Sequence, residues 1–411
     1  MADAHRNEWA YVLAATLRVA RDMDIAEECV QEAYASALND WATHGVPKRP
    51  GAWLTTVARH RALDQLRRHT RHDRLMPLLV ESGGDSLEES EEDSDVSDDR
   101  LRLIFTCCHP ALALESQIAL TLRYVCGLTT SEVARAFLIK ESAMAARLTR
   151  AKKKIATSAI PYHVPAAAEL SERVDAVLDV VHLVFTTGHT APSGGQLVRE
   201  DLTSRALQLA RMLRELLPDN PGVSGLLALL LLSDARRHAR LSLDGTLILL
   251  EDQDRSKWDH DAIEEGISLV RESLTHRPPS RFALMAAIAA VHAEASSFSE
   301  TDWGEIVAIY DVLRFTWPSP VVALNRAVAV GFARGPQAGL AALDELSGDP
   351  FLAQYAYFAS ARADFLARIG NREQACASYE LALQVSENEV ERKFLRERLA
   401  ALGAQAAVRP Y

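Results

Sequence analysis

Between Glu81 and Asp99 the chain holds ten acidic side chains and no basic one. A run of like charge repels itself and has almost nothing to bury, so it forces the chain into separate bodies joined by a tether. A basic island lies on either side. Lys48 to Arg74 carries eight Lys/Arg against Asp64 and Asp73, and Arg123 to Lys154 carries eight against Glu132 and Glu141. The net charge of −11 would oppose nucleic-acid binding if it were spread evenly. Segregated in this way it does not, and two basic islands on an acidic strap fit two DNA contacts. Asp73 to Asp99 shows little periodicity after Val80 and is expected to be a flexible linker. At ~3.3 Å per residue it could span roughly 70–80 Å, more than the ~34–36 Å of one DNA turn.

The first island is centred on a helix expected after Pro50-Gly51. Leu54, Ala58, Ala62 and Leu66 recur at every fourth position and make a core-facing stripe. Trp53, His60, Asp64 and Arg67 fall together on the opposite face. An aromatic plane beside cations suits an unstacked base and its phosphates, while a Trp covering a surface helix is the plainer alternative. The proline-stiffened loop before it delivers Lys48 and Arg49 beside Trp53.

Upstream, Glu8 to Trp41 is helical in pattern, with Ala26, Val30, Ala33, Tyr34 and Ala37 on one face. Asp24, Glu27, Glu28, Gln31 and Glu32 line an acidic face. That face is either a solvated helix side or a docking surface for a basic partner.

The run from Ala26 to Tyr34 and the run from Trp53 to Arg68 together resemble region 2 of the extracytoplasmic-function sigma factors of the sigma-70 family. His60 departs from the asparagine common there. The resemblance implies that Lys48, Arg49, Trp53, Arg59, His60, Arg61, Asp64, Arg67 and Arg68 contact the −10 element. It also implies that Asp24, Glu27, Glu28, Gln31 and Glu32 dock on the clamp helices of core RNA polymerase.

From Leu101 the helical pattern resumes. Leu114 to Val125 is expected to be a helix stopped by Gly127, and Thr129 or Thr130 caps the next one, with Glu132 following. Leu128 to Lys154 has a helix-turn-helix cadence, with Ala134 at the crossing of the helices and Met144 as the buried anchor of the second. Leu138 stands four residues after Ala134, where glycine is favoured. The segment resembles sigma region 4, which implies −35 contacts by Thr130, Lys140, Ser142, Ala145, Ala146, Arg147, Thr149, Arg150, Lys152 and Lys153. The small side chains would enter the major groove and the cations would grip phosphates.

Leu103 to Leu112, Val184 to Gly188, Gly225 to Arg237 and Leu249 to Trp258 resemble the sigma subgroup that carries a long C-terminal extension. The extension, 161–411, reads helical, with helices over Leu202–Leu217 and Gly225–Arg240. Ala363, Gly370, Ala375, Tyr379 and Ala382 occupy tetratricopeptide-like positions. The expected fold is all-α. A region 2 bundle (1–75) is followed by an acidic linker (76–100), a region 4 helix-turn-helix (101–160) and a helical-hairpin array. The resemblance implies core RNA polymerase and promoter DNA as partners, with a small regulatory protein or peptide as a further partner of the array.

Other chemistry finds little support. Cys107, Cys108, His109 and Cys126 do not have the spacing of a zinc finger. Asp252, Asp254 and Ser256 begin like a calcium loop, but Lys257 stands where glycine is required and Ile263 where the bidentate Glu belongs. Those acids are expected instead to cap a helix starting near Trp258, and His292 is expected to be a satisfied core histidine. No catalytic residue, metal or cofactor is assigned. Five scattered cysteines suggest reduced thiols, and with neither a signal-peptide plan nor a membrane-length apolar run the expected location is cytoplasmic.

Overall fold

A computed structural model describes residues 2–73, 96–137, 139–158, 160–191, 193–242 and 244–407. Most of the acidic strap and Leu138 lie outside these residues, so the linker reading and the Leu138 departure are not addressed by it. The expectation of an all-α chain holds. The described residues form eighteen α-helices, short 3-10 turns and one pair of two-residue strands. They divide into two units, Met1–Val181 and His182–Tyr411. Among the described residues, no helix is long and apolar enough to cross a membrane.

In the first unit α1 (Ala2–Ala20), α2 (Met23–His44) and α3 (Pro50–Asp73) pack on one another. The helical pattern from Glu8 to Trp41 breaks at Arg21, which has φ 54°. Asp22 then caps α2 by accepting from the amides of Asp24 at 2.8 Å and Ile25 at 2.9 Å. Pro50 opens α3, where its missing N–H costs nothing. Of the expected stripe, Leu54, Ala58 and Ala62 are fully buried and Leu66 is half-buried.

Helix α4 (Val96–Cys107) starts inside the span read as linker. Asp99 is buried there and meets Arg102 at 2.8 Å and Arg18 at 3.5 Å. Two guanidiniums neutralise this acid, which moves the boundary towards the N-terminus. Helix α5 (Leu114–Leu120) continues as a π-turn through Thr121–Val125. The helix-turn-helix pair is α6 (Thr130–Ala136) and α7 (Glu141–Thr157). Thr129 caps α6 in a reciprocal box: it accepts from the Glu132 amide at 3.2 Å, and Glu132 accepts from the Thr129 amide at 2.7 Å. Ala134 and Met144 are buried as expected.

The division between units falls within α8 (Ala167–His189). The Tyr162 hydroxyl donates to the Ala14 carbonyl at 3.0 Å, and Arg173 donates to the Phe105 carbonyl at 2.7 Å. These bonds attach the residues that follow Pro161 to the first unit.

The second unit continues with α9 (Glu200–Leu216), α10 (Pro221–Asp234), α11 (His260–Ser273), α12 (Arg281–Glu294) and α13 (Trp303–Thr316). It ends with α14 (Pro320–Arg334), α15 (Pro336–Asp344), α16 (Ala356–Arg368), α17 (Arg372–Val385) and α18 (Glu389–Ala407). From α9 to α18 each helix packs on its successor, which makes the expected hairpin array. Helix α10 begins earlier than Gly225 because Asn220 caps it and Pro221 opens it. Gly225 itself marks a close crossing: a Cβ there would lie 2.6 Å from the Ala283 amide nitrogen on α12. Asp259, rather than Asp252 or Asp254, caps the helix after Trp258 by accepting from the Ala262 amide at 3.0 Å. In α16 and α17, Ala363, Ala375 and Ala382 are fully buried, Tyr379 is nearly so, and Gly370 turns between them at φ 82°.

The array is tied end to start. Ser193–Gly194 pairs in parallel with Glu387–Asn388. The buried Asn388 amide donates to the carbonyls of Ala191 and Gln196, each at 2.9 Å, while its oxygen accepts from the Val390 amide at 3.0 Å. Replacing Asn388 by Ala strands these buried groups and is expected to cost about 1–3 kcal/mol. Urea unfolding reads this directly, and an unchanged midpoint would show that Asn388 does not hold the closure.

Candidate nucleic-acid interface

On the first basic island Lys48 and Arg49 are exposed in the loop before α3, and His60, Asp64, Arg67 and Arg68 are exposed along it. Arg59 and Trp53 are half-buried. The Trp53 ring meets the buried Trp41 at 5.5 Å and 63°, edge to face. One side of Trp53 is therefore fixed by the core while part of the ring remains accessible, as a stacking platform needs. Arg61 stands apart from this group. Its guanidinium turns to α2, where it pairs with Glu32 and donates to the Ser36 hydroxyl at 2.8 Å. Two residues expected on different surfaces instead join α2 to α3.

On the second island α7 exposes Ser142, Ala145, Ala146, Thr149, Arg150 and Lys153 on the side away from Met144 and Leu148. Thr149 donates its hydroxyl proton to the Ala145 carbonyl at 2.9 Å. Lys140 is exposed at the start of α7, and Thr130 is half-buried at the start of α6. Arg147 lies over the Phe137 ring at 5.3 Å, a contact that holds its charge beside the turn.

The acidic face of α2 is partly occupied. Glu28 and Gln31 are exposed, but Asp24 pairs with Lys152 and Glu27 pairs with Arg123. Arg123 also donates to the Leu128 carbonyl at 2.8 Å. The indole N–H of Trp9 donates to the Tyr124 carbonyl at 3.0 Å, so α1 and α2 are fastened to the helix-turn-helix portion within one unit. These links join residues more than ninety-five positions apart, and no local pattern announces them. The only signal is that Arg123 is the lone cation of the helix that runs from Leu114 to Val125.

Cys107, Cys108 and Cys126 are buried thiols. Burial raises the Cys108 pKa to about 11 and raises that of Cys107 as well, while the Cys108 sulfur lies 3.4 Å from the Thr121 hydroxyl. Among the described residues, no group of three or more His, Cys, Asp and Glu is arranged to hold a metal.

Residues 9–72, covering the platform and the acidic face, match the family model for Sigma-70 region 2, and 102–155 match that for Sigma-70, region 4. The chain is an extracytoplasmic-function sigma factor with a C-terminal extension. Residues 173–274 of this sigma factor match a family of unknown function, DUF6596. It is 40% identical over 399 residues to an uncharacterized protein of Rhizobium meliloti (strain 1021), covering 96% of this chain and 94% of the relative. No solved structure matches it. The sigma regions imply binding to core RNA polymerase and promoter DNA for promoter recognition and transcription initiation, a non-enzymatic role in this family.

Proposed function

We propose that this sigma factor divides promoter recognition between its two basic islands and that its C-terminal unit supports initiation. The α3 platform, with Trp53 and its flanking cations, takes the −10 element and stacks a flipped base. The α7 face takes the −35 element, with Ala145, Ala146 and Thr149 against base edges and Lys140, Arg147, Arg150 and Lys153 against phosphates. The observation that carries this reading is the exposed small-residue face of α7 with cations beside it, within a match to region 4.

Core polymerase meets the acidic face of α2. Glu28 and Gln31 offer the first contact. Asp24 and Glu27 then exchange Lys152 and Arg123 for cations on the polymerase, which frees Lys152 for phosphate. Docking therefore opens the first unit and readies the −35 helix in one step. The acidic strap runs through the positively lined RNA path as a displaceable mimic of RNA. The hairpin array, acting in the cytoplasm, docks on the sigma domains or on polymerase and offers a surface to a regulatory protein or peptide.

Promoter binding by the reconstituted holoenzyme tests the α7 assignment. Arg147→Ala and Arg150→Ala should each lower the slope of log affinity against log salt by about 0.9. Changes at Ala146 or Thr149 should alter sequence preference and leave the slope in place. If the arginine variants change preference while the slope stays constant, the two roles are assigned the wrong way round.

A further inference from the structure

The second unit contains a cavity of about 400 Å³ bordered by α12, α13, α14, α16, α17 and α18. That volume lies in the range of about 300–1,000 Å³ typical of small-molecule sites. One wall is built of rings. Trp303 stacks on Phe332 at 4.6 Å and 27°, and Phe298 meets each of them edge-on at 5.2 Å. His292 stands edge-on to Trp303 at 5.1 Å.

The polar groups around these rings are unevenly satisfied. Arg368 lies over Phe332 at 5.2 Å and bonds both Glu251, at 2.9 Å, and Asp364, at 2.6 Å. One guanidinium thus engages both carboxylates of the lining. Arg398 lies over Phe394 at 5.2 Å and has no carboxylate partner among the described residues. His292 was expected to be satisfied in the core, yet its buried Nδ1 has no hydrogen-bond partner. Burial, reinforced by Arg236 and Arg255, lowers its pKa to about 4, so the ring is neutral at neutral pH. An unmet buried polar atom costs about 1–3 kcal/mol.

We propose that this cavity binds a planar aromatic small molecule carrying one anionic group, its ring against Trp303 and Phe332 and its charge at Arg398. Charge decides the sign of the ligand. A cation would find Glu251 and Asp364 already engaged by Arg368 and would be repelled by Arg398. The site is separate from both basic islands and does not depend on their assignment.

Titration of the full-length protein with 8-anilinonaphthalene-1-sulfonate, an aromatic monoanion with a flat naphthalene ring, tests the site. N-phenyl-1-naphthylamine, which has the same rings without the sulfonate, is the comparison. Both are expected to saturate at one molecule per chain. Arg398→Ala should weaken the sulfonate about tenfold, the loss expected of a charge-assisted bond, and change the neutral probe less than about twofold. Arg398→Gln repeats the test if the first variant unfolds. Ala361→Trp, which fills the cavity, should abolish both, with Ser360→Phe as the alternative filling and thermal unfolding as the check on folding. Non-saturating binding, sulfonate affinity that survives loss of Arg398, or binding that persists in a folded cavity-filled variant would each overturn the proposal.

Discussion

A chain lacking residues 375–411 is expected to lose the cooperative unfolding of its second unit and most of its transcription. The deletion removes nearly all of α17 and all of α18, and with them Tyr379, Ala382 and Leu395 from a cluster that also holds Ala359 and Ala363. Phe394 and Leu383, which pack against that cluster, are lost as well. Each large apolar side chain in such a cluster contributes about 1.5–3 kcal/mol when fully covered. The sum is comparable to the whole ~5–15 kcal/mol stability of a typical domain. Asn388 is also removed, and with it the bonds to Ala191 and Gln196. A terminal unit of a repeat array shields its neighbour, so the damage should spread inward. Limited proteolysis and in vitro transcription with core polymerase measure both consequences. If the shortened chain unfolds as sharply as the full chain and transcribes equally well, the second unit neither depends on its closure nor supports initiation.

Trp53→Leu is expected to lower open-complex formation on a duplex promoter by about tenfold or more, because a stacked base is worth about 1–3 kcal/mol. Leucine keeps apolar contact with Trp41, whereas alanine would also leave a hole beside that buried ring. Trp53→Phe keeps a flat surface and should retain most of the activity. Polymerase binding should be unchanged in both variants. Permanganate footprinting of the −10 region reads strand opening. If Leu and Phe behave alike, packing on Trp41 is what matters, and Trp53 is not a stacking platform.

What could be read from the sequence was what repeats at short range. The Leu54, Ala58 and Ala62 stripe, the Thr129–Glu132 cap, Met144 as an anchor and the Ala363 to Ala382 spacing all follow from helical periodicity, and the structure places them as expected. The break at Arg21–Asp22 was concealed because apolar residues keep a helical rhythm through it, and only Asp22 as a cap marks it. Long-range pairing had no such signal. The resemblance to sigma region 2 implied a DNA contact for Arg61, whereas here Glu32 and Ser36 on α2 hold it. Asp99 looked like a linker acid until Arg18 and Arg102 were found beside it. The division within α8 depends on Tyr162 and Arg173 reaching back to the first unit. His292 appeared to be an ordinary core histidine, and its unpartnered Nδ1 is visible only in three dimensions.

The most direct test of the sigma assignment is gel filtration of the purified chain with core RNA polymerase in the absence of DNA. A stoichiometric complex should form, and Glu28→Lys should weaken it, since that exposed carboxylate has no role in holding the first unit closed beyond a 3.4 Å contact with Gln65. Separate elution of the chain and the polymerase, with promoter DNA still bound by the chain alone, would contradict it.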